Sequence, residues 1–129
     1  MKVLLSIKPE HAEKILSGHK KYEFRRAIFK DQDVTKVIIY ASSPIQKIIG
    51  EFEIDEVLTL KLAELWRKTK QDSGIDKKFY DNYFAGKEFG HAIKIKKVKR
   101  YTNQLDLADF RVKQAPQSFI YLHGQGGLF

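Results

Sequence analysis

The densest run of chemistry-bearing side chains in the chain is Gly18-His19-Lys20-Lys21-Tyr22-Glu23-Phe24-Arg25-Arg26. Gly18 follows a stretch with helical spacing and is suited to a left-handed turn. Lys20 then falls on that turn. The chain next enters an alternating segment in which Glu23 and Arg25 share one face and Tyr22 and Phe24 the other. A carboxylate beside a guanidinium holds it in place, and the pair offers an acceptor and a forked donor to a planar ligand; the same pattern also suits a solvated strand face. Lys20 has two uses. Charged, it is a point charge for a phosphate. With a pKa depressed by burial or by neighbouring cations, it becomes a catalyst. Lys21, Arg25 and Arg26 would push its pKa down and Glu23 would push it up, and binding is the preferred role.

Other residues form a second tier. Lys8 precedes Pro9 at the mouth of a helix, where anions are favoured. Ser42 and Ser43 end a strand before Pro44, and their hydroxyls suit a phosphate, a base edge or plain turn chemistry. Lys94, Lys96 and Lys97, with Lys99 and Arg100, make either a backbone-contact stripe or an edge strand guarded by lysines. Phe79, Tyr80, Tyr83 and Phe84 recur at helical spacing, which suits stacking on bases but more often marks core. Tyr83 is the expected pocket contact, because a buried phenol needs a polar partner. Gln117 and Ser118 read as loop after Pro116. His11, His19, His91 and His123 lack metal-ligand spacing, and no phosphate-loop or nucleophile-elbow motif occurs, so neither metal nor cofactor is expected.

These residues need elements to hold them. Residues 2–7 read as a buried strand, and 9–17 as a short helix with Ala12, Ile15 and Leu16 on one side. Residues 21–26 and 48–58 alternate, and 35–41 is a β-branched run. Gly50 marks a bulge or a close backbone approach. Helices are expected over 60–71 and, opened by a Ser73–Asp76 box, up to Gly86. A strand over 89–101 needs a bulge at Lys96-Lys97 to return Val98 to the core. A last strand covers 119–122, and 124–129 is flexible by composition. The whole reads as one α+β domain, 1–129, with a curved mixed sheet or small barrel.

Twenty-four Lys and Arg against sixteen Asp and Glu give +8, which favours polyanionic partners. The absence of cysteine excludes disulfides and thiolate metal sites. The apolar run at Val3–Ile7 is too short for a signal peptide, and no long apolar stretch follows, so a soluble, cytoplasmic protein is expected with no membrane partner. Oligomeric state leaves no mark.

Five segments in order resemble the ASCH family: Ser6-Ile7-Lys8-Pro9; Gly18-x-Lys20-x-x-Glu23-x-Arg25, that family's hallmark; Tyr40-Ala41-Ser42-Ser43-Pro44; Gly50-Glu51-Phe52; and Ala115-Pro116-Gln117-Ser118-Phe119. The resemblance spans about residues 2–122. It implies a PUA-like barrel with a cleft beside the hallmark motif. It also implies binding of RNA or a modified nucleotide, with a role in translation or transcription control. Lys20, Glu23 and Arg25 would form the centre, Lys8, Ser42 and Ser43 the rim, and Lys94, Lys96 and Lys97 the backbone contacts. Some small bacterial relatives are amidohydrolases acting on acetylated cytidine. Their catalytic lysine corresponds to Lys20, but their threonine is replaced here by Glu23, and Glu51, Glu53, Glu56 and Glu64 compete for their downstream glutamate. An acylated-nucleoside amidohydrolase is therefore the alternative.

Overall fold

Val3, Leu5 and Ile7 alternate with Leu4, so the first strand is apolar on both faces and must lie inside a sheet. In the computed structural model, which describes residues 1–122, it does. β1 (Lys2–Ile7) is followed by α1 (Pro9–Leu16), β2 (Tyr22–Arg25), β3 (Lys36–Ala41), β4 (Lys47–Lys61), α2 (Leu62–Thr69), α3 (Lys77–Tyr83), β5 (Phe89–Leu105) and β6 (Phe119–Leu122). The strand order is β2-β5-β4-β3-β1-β6. β1 and β3 run parallel, and the other neighbours are antiparallel.

The barrel expectation is corrected here. β2 and β6 stand at opposite ends of the order, so this is an open six-stranded mixed sheet among the described residues. The tail expected at 124–129 lies outside them.

Three apolar clusters follow from the strand alternation. Val3, Leu5 and Ile7 pack with Val37, Ile39, Phe52 and Ile93 under Ala12 and Ile15 of α1. Leu4, Ile38 and Tyr40 face the other way, toward Ile48, Phe110 and Leu122. Phe24 and Ala92 meet Leu65 of α2 and Tyr80 of α3, with Phe84 just beyond it. Each fully buried aliphatic or aromatic side chain contributes about 2 kcal/mol, so these faces fix which side of β2 is left for other work.

Several local expectations shift. Ser73 does not cap α3: Asp76 does, accepting from the Phe79 amide at 2.8 Å. The register does slip at Lys97, which has positive φ, yet Val98 stays 37% exposed, so the bulge does not return it to the core. Gly50 is both a bulge and a close approach. A Cβ there would lie 2.6 Å from the Lys99 carbonyl oxygen and 2.8 Å from Leu16 Cδ2. Because one of the two is backbone, Gly50→Ala is expected to lower stability by about 1–3 kcal/mol, measured as a lower urea midpoint with unchanged m-value.

Candidate functional site

The helix start, the turn and the strand that carries Glu23 border one open pocket of about 270 Å³. That is near the lower end of small-molecule sites, which begin at roughly 300 Å³. β1 ends at its wall with Ser6 and Ile7, and α1 begins there with Lys8 and His11. Lys20, Glu23, Phe24 and Arg25 form the floor, and Ile75, Phe79 and Tyr83 close the far side. Gln117 enters from the segment before β6.

Lys20 is only 2% exposed. Its Nζ donates to the Ser73 carbonyl at 2.7 Å and sits 4.8 Å above the Phe24 ring. The loop around Ser73 is tied to the 18–21 turn and to α1 by one further bond each. The Lys21 amide donates to the Asp72 carbonyl, and Lys14 Nζ donates to the Gly74 carbonyl. Gly74 has positive φ, and a Cβ there would lie 2.7 Å from the Lys20 stem. Burial lowers the Lys20 pKa to about 8, with Glu23 opposing and Lys14 reinforcing the drop. The ammonium is therefore mostly charged at neutral pH yet easily discharged.

Glu23 is 6% exposed, and burial raises its pKa against the pull of Arg25 and Lys20. Arg25 Nη1 donates to Glu23 Oε2 at 3.1 Å and to the Ser6 carbonyl at 3.2 Å, while Nη2 donates to the Ser118 carbonyl at 2.9 Å. This fork ties β2 to the end of β1 and to the segment before β6. The Tyr83 hydroxyl donates to the Phe24 carbonyl at 3.0 Å, and burial raises its pKa. A cation, a carboxylate and a phenol thus meet in one hollow with aromatic walls, a combination that suits a planar, hydrogen-bonding, anionic ligand.

The family model described as ASCH domain matches residues 5–99. The chain belongs to the ASCH domain family. It is 30% identical over 122 residues to an ASCH domain-containing ribonuclease of Zymomonas mobilis, covering 92% of this chain and 82% of that protein. It superposes on a crystal structure of an ASCH protein from Zymomonas mobilis with a TM-score of 0.86 at 25% identity, covering 95% of this chain and 87% of the other. It is also 32% identical over 120 residues to a large ribosomal subunit protein uL22 of Ureaplasma parvum, covering 93% of this chain but 39% of that protein. The chain thus spans well under half of that longer relative.

In this ASCH domain the hallmark residues Lys20, Glu23 and Arg25 converge, and Lys8 and Tyr83 join them in lining the pocket. Ser42 and Ser43 do not line it. The Ser42 amide donates to the Ile7 carbonyl, and its own carbonyl accepts from Ile45, so this segment is a turn. Lys94, Lys96 and Lys97 lie along β5 away from the pocket. Glu56 stands opposite Lys94 and Glu53 opposite Lys96, and Lys94 Nζ is 3.6 Å from Asp55. The basic stripe is partly neutralised across the strand pair.

Sequence reasoning missed Ser6 and His11 as parts of the ASCH pocket, and Ser73 and Gly74, which do not line it, as the segment packed on Lys20. Ser73 and Gly74 carry the signature of a turn before a helix, and nothing local relates them to Lys20 fifty-three positions earlier. His11 had a faint signal, as a polar residue one position before the apolar stripe of α1. Among the described residues, no group of three or more His, Cys, Asp or Glu side chains is placed to hold a metal, and no helix is long and apolar enough to cross a membrane.

Proposed function

We propose that this ASCH domain binds RNA and takes one unpaired nucleotide into the pocket beside Lys20. The observation that carries the reading is a buried, charged lysine held beside Glu23 in a hollow open to solvent. Burying an ammonium costs free energy, and a phosphate arriving at the pocket offsets that cost. Lys8, exposed at the rim beside the start of α1, adds a second phosphate contact with the helix N-terminus behind it. Glu23 accepts from a base amino or imino group, and Arg25 holds Glu23 in place. Phe79 and Tyr83, stacked 6.4 Å apart at the mouth, offer faces for a base. Lys94, Lys96 and Lys97 extend the contact along the backbone, weakly because acids face them. A ribonuclease among the relatives supports RNA as the partner class.

The pH dependence tests this reading. Lys20 is cationic below about pH 8 and neutral above it. Affinity for a short single-stranded oligoribonucleotide, followed by fluorescence anisotropy at constant salt, is expected to hold from pH 6.5 to 7.5 and to fall as the pH rises through about 8. The same strand in a duplex should bind more weakly, since its bases are stacked and paired. A flat profile to pH 9.5, or equal binding of duplex, would place the RNA elsewhere.

Cleavage is the second reading, favoured by the ribonuclease relative. Strand scission by the wild-type protein, seen on a denaturing gel and dependent on Lys20, would support it. The amidohydrolase alternative predicts release of cytidine from acetylated cytidine, detected by chromatography.

A further inference from the structure

His11 is the third residue of α1, and its side chain is 13% exposed. Both of its ring nitrogens are shielded from solvent and have no hydrogen-bond partner. The Glu10 carboxylate lies 3.9 Å from Nε2, beyond hydrogen-bond reach, and points largely into solvent. Buried polar atoms in folded proteins are nearly always paired, so two orphans on one ring in a pocket wall call for a partner that arrives later.

We propose that His11 hydrogen-bonds the base of the bound nucleotide, and that Phe79 covers it until that base enters. This rests on the RNA reading above and assigns a second residue, beside Glu23, that reads the base. The Phe79 ring meets the imidazole edge-on at 5.1 Å and is itself 37% exposed. It is a single surface side chain, so a change of rotamer uncovers His11 without moving α3. In its present position the Phe79 ring lies parallel to that of Tyr83 with centroids 6.4 Å apart, so its displacement also frees the Tyr83 face for the base.

The charges around His11 favour a base edge over a phosphate. Burial holds the imidazole pKa down, Lys20, Lys14 and Lys8 hold it down further, and Glu10 alone pulls the other way. Glu23, Arg25, Tyr83 and Gln117 line the same pocket. The ring is neutral at pH 7 and presents one donor and one acceptor, the pairing that a base edge offers. Lysines already supply the positive charge that a phosphate needs.

The experiment compares wild type with His11→Phe, which keeps the ring packing and removes both nitrogens. The probe is a short mixed-sequence single-stranded oligoribonucleotide, titrated at several salt concentrations. Affinity should fall about five- to tenfold, the size of one or two neutral hydrogen bonds. The salt dependence should stay unchanged, because no phosphate contact is lost, and the melting temperature should rise. Unchanged affinity overturns the assignment, and so does a shallower salt dependence, which would put His11 on a phosphate. If His11→Phe does not fold, nitrogen-15 spectra of histidine-labelled wild type decide. The His11 ring signals should shift when the oligoribonucleotide is added, and their failure to do so overturns the proposal. RNA binding that persists undiminished in the variant removes this assignment alone. Wild type that binds no RNA removes the functional reading with it.

Discussion

Lys20→Met is expected to make the protein more stable and a worse RNA binder. The fall of the Lys20 pKa from 10.5 to about 8 means that the fold disfavours the charged form. At pH 7 that is worth roughly 3 kcal/mol. Methionine fills a similar volume without the charge, but it forfeits the bond to the Ser73 carbonyl and the contact with the Phe24 ring. A net gain of about 1–2 kcal/mol remains, visible as a melting temperature higher by about 3–8 °C. The size of this gain depends on pH. Between pH 8 and 10.5 the unfolded chain holds the lysine proton and the folded chain has released it, so wild-type stability climbs with pH. The advantage of the variant, full at pH 7, should therefore shrink by pH 9.5. RNA affinity should drop by at least about tenfold, with a salt slope reduced by about one ion, because a charge-assisted contact is gone. A variant that is both less stable and unimpaired in binding would mean that the lysine is a structural strut.

Arg25→Leu should act in the opposite direction on stability. The guanidinium satisfies Glu23, the Ser6 carbonyl and the Ser118 carbonyl at once. Its removal strands a buried carboxylate and two backbone acceptors, which costs about 3–5 kcal/mol. Lysine cannot replace the fork, so Arg25→Lys should recover only part of the loss. The double variant Glu23→Leu with Arg25→Leu should recover more of it, since no buried charge is then left unpaired. Urea midpoints for the three variants measure this. A loss under about 1 kcal/mol in Arg25→Leu would show that the carboxyl is protonated and needs no partner. The two members of the hallmark motif thus separate: Lys20 strains the fold, and Arg25 holds it together.

Much of the framework was readable from local pattern. The strands β1, β3 and β6, the short α1 and its glycine stop follow from apolar alternation, β-branching and a left-handed residue at Gly18. Glu23 and Arg25 share a face because strands have a period of two, and the 3.1 Å pair between them is what that spacing implies. The ASCH resemblance, carried by five ordered segments, agreed with the family match over residues 5–99. The barrel did not survive, since closure depends on which strands become edges, and that is a matter of pairing between distant segments. Val98 shows the same limit. A bulge was foreseeable, but where the bulged strand then points depends on what lies beside it.

By itself, the sequence determined the identity and facing of the side chains on β2, the turn that carries Lys20 and the overall positive charge, because each depends on neighbours within a few residues. Burial of Lys20 was decided by the tertiary structure alone. The loop at Ser73 and Gly74 closes over the lysine from fifty-three positions away, and no periodicity records such a contact. The same holds for His11, whose unpaired nitrogens become meaningful only when Phe79 of a distant helix is laid across them. Desolvation sets the charge state of both groups, and desolvation is a property of the packed surroundings rather than of the chain.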